Sequence, residues 1–342
     1  MRSNDDRLRI ARETVGAASR AARAVQQDLA SIRQITKDDR SPVTVADFAV
    51  QAIIALELRD KLGETHIVGE EDAEALRGTG QEAIRCALLD AVRRHRPGID
   101  LDQVLDAIDL CNHDATSDCY WTLDPVDGTK GFLRGQQYAI ALALIERGTV
   151  TLGVMGCPNL PLDPGASLDD ADARGCLYSA ARGGGAREHE PTALTAPGRP
   201  VHAARFAPGR RIRTCGSVEK AHSRQSDMQL ILDRLGEVCA PVRLDSQCKY
   251  ALVARGQADA YFRMPTGAAY VEKIWDHAAG SLIAAEAGAV VSDITGRPLD
   301  FSLGSTLSAN RGVICASAGL HERIIQAIDE LGLAARPGAA AG

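Results

Sequence analysis

Leu8, Ala11, Val15, Ala18, Ala22, Val25, Leu29 and Ile32 recur at spacings of three and four, so the chain opens with one long amphipathic helix whose apolar face must be covered by the rest of the molecule. A second helix is predicted to start near Ser41-Pro42-Val43-Thr44. It carries Val45, Phe48, Ala49, Ala52, Ile53 and Leu56 inward and ends at Gly63. Two helices therefore precede any sheet. At 342 residues the chain exceeds the size at which one core stops growing, which implies one large two-lobed domain or two packed domains. Its 45% hydrophobic and 25% charged residues are ordinary for a globular protein, and no apolar run approaches the ~20 residues of a membrane span. The charged start Met1-Arg2-Ser3-Asn4-Asp5-Asp6-Arg7 lacks the apolar stretch of a secretory signal, so a cytoplasmic location and no membrane partner are expected.

The run Gly69-Glu70-Glu71-Asp72 opens a polar, mostly helical segment, residues 73–118, which reads as an insertion or lid. From Tyr120 the pattern changes. Tyr138–Ile145, Val150–Met155 and Gly175–Ala181 read as strands joined by the turns Arg147-Gly148 and Arg182-Gly183-Gly184-Gly185, which predicts an antiparallel meander. Ala193–Gly209 is the expected connection between an N-terminal α+β lobe, residues 1–200, and a C-terminal α/β lobe, residues 201–333. In the second lobe the strand-like runs Ile212–Cys215, Ala258–Phe262, Ala289–Val291 and Val313–Ala316 alternate with the helical runs Ser226–Leu235, Ala278–Ala287 and Leu320–Leu331. Residues 334–342 have nothing to bury and are expected to be disordered.

A net charge of −6 without a compensating basic block argues against polymeric nucleic acid as a partner. Nine scattered cysteines without a C-x-x-C pair support neither a zinc site nor a disulfide framework, and a thiol-based redox function finds no paired spacing.

The chemistry concentrates in Trp121-Thr122-Leu123-Asp124-Pro125-Val126-Asp127-Gly128-Thr129-Lys130-Gly131. Two carboxylates three residues apart at the end of a strand-like run can turn toward one point. With the Val126 carbonyl they form the all-oxygen set that magnesium takes. Gly128 and Thr129 add backbone N–H groups for an anion at a predicted helix start. Asp-Pro and Asp-Gly also form ordinary surface turns, but the flanking Leu123 and Ile140–Ile145 place these acids at the edge of a core. Further acids have two readings each. Glu70 and Glu71 follow the apolar Ile67-Val68 and end a strand, either as ligands or as exposed acids. Asp276 starts a helix as a ligand or as an N-cap. Asp47 in Thr44-x-x-Asp47 is a site residue or half of a capping box.

Taken together, Ser41-Pro42-Val43-Thr44-x-x-Asp47, Val68-Gly69-Glu70-Glu71, Asp124-Pro125-Val126-Asp127-Gly128-Thr129 and Trp275-Asp276-His277-Ala278-Ala279-Gly280 resemble the lithium-sensitive, inositol-monophosphatase-like phosphatase superfamily over roughly residues 5–330. Within it the likeness is to the 3′(2′),5′-bisphosphate nucleotidase branch. It is carried by Asp127–Gly135, Gly156-Cys157-Pro158-Asn159-Leu160, Val218-Glu219-Lys220-Ala221-His222-Ser223 and Leu244-Asp245-Ser246-Gln247-Cys248-Lys249-Tyr250. The resemblance implies a layered α-β-α-β-α sandwich with an antiparallel N-terminal sheet and a smaller mixed C-terminal sheet. It also implies two or three Mg²⁺ ions held by Glu70, Asp124, Asp127, Asp276 and the Val126 carbonyl, with Asp47 and Thr129 activating water. Gly128, Thr129, His222, Ser246, Lys249 and Arg263 would bind a small bisphosphate nucleotide. Cationic donors away from the metals suit a second phosphate. The segment 73–118 matches the family loosely, and Asn112-His113-Asp114-Ala115-Thr116-Ser117-Asp118 departs from its pattern. An inositol phosphatase and a non-catalytic nucleotide sensor are the alternatives, and phosphate release under Mg²⁺ separates them.

Overall fold

Ser3 accepts the Asp6 N–H and caps helix α1 (Asn4–Gln27), whose first turn holds Asp5 and Asp6 against the helix dipole. The structure, a computed structural model, describes residues 2–29, 32, 41–207, 209–218, 225–236, 238–265, 267 and 270–335, excepting the side chains of 41, 42 and 225. Ala11, Val15, Ala18, Ala22 and Val25 are buried on α1 as the spacing predicts; Ile10, outside the predicted stripe, is buried as well, Leu8 is half-buried, and α1 ends at Gln27, before Leu29 and Ile32. Helix α2 (Ser41–Leu62) is instead apolar around its circumference, with Val45, Ala49, Ile53, Ile54 and Leu58 all buried. Its surroundings explain this: α1, α4 (Glu82–Arg93), α5 (Leu101–Asp109) and strand β2 (Cys119–Asp127) pack around it. The short α3 (Glu74–Arg77) precedes α4, and α5 opens with a capping box between Asp100 and Gln103. The segment 73–118 contributes Leu88, Val92, Val104 and Ile108 to the core beneath α2.

The first sheet runs in chain order from β1 (Ile67–Gly69) and β2 through β3 (Ala139–Glu146), β4 (Thr149–Cys157), β5 (Cys176–Ala181) and β6 (Ala186–His189) to β7 (Arg199–Pro200). From β2 onward it is the predicted antiparallel meander, but β1 pairs with β2 in parallel. Parallel neighbours need a crossover, and helices α3 to α5 provide it. The second, mixed sheet has the order β11-β12-β10-β8-β9, from β8 (Thr214–Gly216), β9 (Val242–Arg243), β10 (Ala260–Arg263), β11 (Ala289–Ser292) and β12 (Val313–Ser317). Its helices are α7 (Gln225–Leu235), α8 (Cys248–Ala254), α9 (Ala278–Glu286) and α10 (Leu320–Glu330), while α6 (Thr129–Leu133) follows β2.

The two-residue alternation of the strands sorts side chains into three cores. On β3, Ile140, Leu142 and Leu144 face the core under α1 and α2, while Ala139, Ala141 and Ala143 face a second core shared with α8 and α9. On β12, Val313 and Cys315 join that second core, and Ile314 and Ala316 join a third with α7 and α10. The layers are therefore helix, sheet, helix, sheet, helix, as expected. Small residues let the middle layer approach: a Cβ on Gly153 of β4 would lie 3.0 Å from the Ala279 carbonyl oxygen of α9. Residues 336–342 of the expected tail lie outside the described residues.

Candidate active site

The β2–β3 ladder slips between Asp124 and Asp127, and Pro125, which has no N–H to give, occupies the slip. The irregularity lets two acids of one strand serve one concavity. Gly128 then takes a left-handed turn, φ 93°, into α6, where a Cβ would come within 2.9 Å of the Ser246 Cβ. At this point the end of β2 abuts the turn that precedes α8.

Around that junction lies a cleft of about 580 Å³ lined by Glu70, Asp124, Val126, Asp127, Gly128, Thr129, Ser246, Lys249, Arg263 and Asp276, among others. Ten positions singled out in the sequence thus meet in one place. Asp47 does not line the cleft; it is 8% exposed, inside α2, within electrostatic reach of Glu70, Glu71 and Asp124. His222, with most of its motif, lies outside the described residues. Of the Glu70–Glu71 pair only Glu70 lines the cleft; the Glu71 backbone N–H donates to Gln51 Oε1 at 3.2 Å.

The alternative readings of two acids do not hold. Helix α2 begins at Ser41, so Thr44 and Asp47 lie within the helix and form no capping box. Helix α9 has His277 at its N-cap with no side-chain capping bond, and Asp276 instead faces Arg263 at 3.6 Å.

Asp124 is 2% exposed; burial, then the charges of Glu70, Asp127, Asp276 and Asp47, hold its pKa well above the usual carboxylate range. Burial, followed by Asp276, pushes Asp127 up to about 6, against the pull of Lys249, the Gln247 N–H and Arg263. Glu70 rises to about 7 through burial and the charges of Asp276, Glu71 and Asp127, although its place on the open cleft wall admits water that tempers the rise. Burial, then Glu71 and Glu70, raises Asp47 as well. Mutually repelling carboxylates at one point make a site short of positive charge. Asp124 Oδ1 is buried with no hydrogen-bond partner. A divalent cation fits both observations, supplying the charge and the missing partner.

The same cleft holds Lys249, 3% exposed at the start of α8, and Arg263 at the end of β10. Burial lowers the Lys249 pKa, and Asp127 and Asp245 oppose that fall. Its ammonium lies 5.4 Å from the Tyr261 ring centre. Arg263 is held at both ends of its fork, Nε donating to Glu272 Oε1 and Nη2 pairing with Glu272 Oε2, each at 2.9 Å. Behind Glu272 come His277 at 3.1 Å and the Tyr250 hydroxyl at 2.9 Å from His277 Nδ1. Glu272, Asp276 and His277 also place ligand atoms within 4.8 Å of one another, but Glu272 spends its oxygens on Arg263 and His277. That group reads as the mount of Arg263.

Sequence reasoning missed Glu272, Gln247, Tyr261 and Tyr270, all on the cleft wall. The Gln247 and Tyr261 neighbourhoods carried a signal, since each lies within two residues of a cation singled out there. Glu272 carried none: an isolated acid on an irregular stretch is legible only once Arg263 is seen beside it.

Residues 6–333 match the inositol monophosphatase family, and the chain belongs to that family. Among curated relatives, the 3′(2′),5′-bisphosphate nucleotidase of Schizosaccharomyces pombe is 42% identical over 302 residues, covering 86% of this chain and 85% of that one. The protein of that name from Oryza sativa is 37% identical, covering 94% and 93%, and 3′,5′-bisphosphate nucleotidase 2 of Arabidopsis thaliana is 36% identical, covering 96% and 97%. An inositol monophosphatase from Zymomonas mobilis superposes with a TM-score of 0.61 at 18% identity, covering 96% of this chain and 100% of that one, which shows the shared fold.

Proposed function

We propose that the chain is a Mg²⁺-dependent phosphomonoesterase that removes the 3′-phosphate of adenosine 3′,5′-bisphosphate, giving AMP and phosphate, with 3′-phosphoadenosine 5′-phosphosulfate as a second substrate. The observation that carries this reading is that one concavity is lined by Glu70, Asp124, Asp127 and Asp276 together with Lys249 and Arg263, the last 3.6 Å from Asp276. The relatives at 36–42% identity named for bisphosphate nucleotidase activity support it. No described helix is long and apolar enough to cross a membrane.

Glu70, Asp124, Asp127, Asp276 and the Val126 carbonyl would hold two or three Mg²⁺ ions. Bound there, the ions would lower the pKa of a water and offset charge on the phosphoryl group in an in-line displacement. The family likeness assigns Asp47 to accept the proton that the attacking water gives up and Thr129 to orient that water; since Asp47 does not line the cleft, its share of that transfer would run through a bridging water. Lys249 and Arg263 would neutralise the phosphate that is not cleaved; Gly128 and Ser246 line the same cleft, and the family likeness adds His222 for the nucleotide. A cytoplasmic setting belongs to the same proposal.

Purified protein in Mg²⁺, assayed for released phosphate on adenosine 3′,5′-bisphosphate, AMP, inositol 1-phosphate and inositol 1,4-bisphosphate, tests it. Preferred turnover of the nucleotide bisphosphate is expected. Equal or faster release from an inositol phosphate would overturn the substrate assignment, and release from none would leave a nucleotide sensor.

A further inference from the structure

We propose that Gln247 is a positioning residue: it fixes Asp127 and Asp276 relative to each other and thereby sets how tightly the cleft holds a divalent cation. The inference rests on reading the cleft as a cation site.

Asp127 ends β2, while Asp276 lies 149 residues later on the approach to α9, so folding must bring two repelling charges together and keep them there. Gln247 is 2% exposed and touches both arms. Its backbone N–H donates to Asp127 Oδ2 at 2.5 Å. Its Nε2 donates to the Trp275 carbonyl at 2.9 Å, and its Oε1 accepts from the Gly280 N–H at 3.1 Å. Trp275 immediately precedes Asp276. Gly280 lies in the first turn of α9, where N–H groups have no partner within the helix. One residue therefore binds an oxygen of the first acid and brackets the second from both sides.

The chemistry asks for glutamine in particular. An amide donates from one atom and accepts at another without a charge, as the Trp275 carbonyl and Gly280 N–H together require. Leucine offers neither function, ionised glutamate only accepts, and asparagine is one methylene shorter. Ser246 just before it is left-handed at φ 70°, a costly conformation for a residue with a Cβ, and it turns the chain against Gly128. With both amide atoms engaged, Gln247 acts through Asp127 and Asp276 rather than on a substrate.

The test compares Gln247→Leu and Gln247→Glu with the parent chain. Mn²⁺ binding to the metal-free full-length protein is followed by the electron paramagnetic resonance of free Mn²⁺, beside the Mg²⁺ dependence of phosphate release and thermal unfolding. Supporting residues of metal sites change affinity by roughly 10- to 100-fold. Gln247→Leu is expected to weaken Mn²⁺ binding by about that factor and shift the Mg²⁺ activation midpoint likewise, with kcat recovering at saturating Mg²⁺; Gln247→Glu is expected to fall between. Unchanged Mn²⁺ affinity in a folded Gln247→Leu, or loss of kcat that saturating Mg²⁺ does not restore, overturns the assignment. Loss of cooperative unfolding in both variants makes Gln247 a folding residue and also overturns it. A parent chain that binds Mn²⁺ but hydrolyses no bisphosphate removes the proposed function and leaves the binding comparison decisive; a parent that binds no Mn²⁺ removes both.

Discussion

Asp127 stands where opposing influences meet, burial and Asp276 raising its proton affinity while Lys249, the Gln247 N–H and Arg263 lower it. Its removal should therefore be felt in chemistry more than in folding. Asp127→Ala is expected to abolish phosphate release and to leave the circular dichroism spectrum unchanged. Glu70, near 7 against an ordinary 4.5, and Asp127, near 6 against 3.8, keep protons in the folded metal-free chain that the unfolded chain has already released. Stability then falls as pH rises from about 4 to 7, because the folded state binds more protons across that window. Melting in EDTA should drop between about pH 4 and pH 7 and level off above, with a shallower drop in Mg²⁺; a flat EDTA profile would contradict the charge crowding. Ser246→Gly relieves a left-handed backbone at the loss of the bond that its hydroxyl accepts from the Cys248 N–H. Those two effects are of similar size, about 1 kcal/mol each, so melting should move by no more than about 3 °C while nucleotide affinity weakens. Asp124 and Asp127 stood out in the sequence beside Pro125 and Gly128 at the edge of a core, whereas Glu70 and Asp276 each kept a second reading there and were joined to them only by the family resemblance. Glu272 and the reach of Gln247 were not legible, because their partners are close only in space.

Element by element, legibility followed periodicity. Helix α1 could be read from its stripe, whereas α2, buried all round, was located by its ends, near Ser41 and at Gly63, more than by any single face. The parallel β1–β2 pair escaped prediction because strand direction depends on what the 73–118 helices do, and no residue of β1 encodes that. Nor did α8 announce itself, being seven fully buried residues with no polar face to set a period. Close approach between elements makes specific demands. A Cβ on Gly280 of α9 would collide with the Tyr250 ring of α8, and Tyr250 supports His277, then Glu272, then Arg263. Gly280→Ala should consequently raise KM for a bisphosphate severalfold with a smaller effect on kcat, as steady-state kinetics would show. An unchanged KM would mean that the chain of bonds does not orient Arg263.

Across the whole molecule, five layers share three cores, and the cleft is lined by the ends of β2 in the first sheet and β10 in the second, with the start of α8 and the approach to α9. The acids come from the first sheet and the stretch before α9, the cations from the second sheet and α8. Damage to one end should thus be separable from damage to the other. The pair Lys249→Ala with Arg263→Ala is expected to depress kcat/KM for adenosine 3′,5′-bisphosphate by at least about 100-fold, given roughly 1.5–3 kcal/mol for each charge-assisted bond lost. Any residual release from a monophosphate should suffer much less, and equal losses on both would refute the division of labour.

The break in the β2 ladder at Pro125 brings to one cleft acids that chain order keeps far apart. Asp124 and Asp127 precede Asp276 by some 150 residues, so on the proposed assignment a growing chain would hold only part of the cation site until its last fifth emerges. A fragment ending before Lys249 would keep the bent end of β2 yet lack an acid and both cations that the proposed site draws from the second half of the chain, and it should release no phosphate.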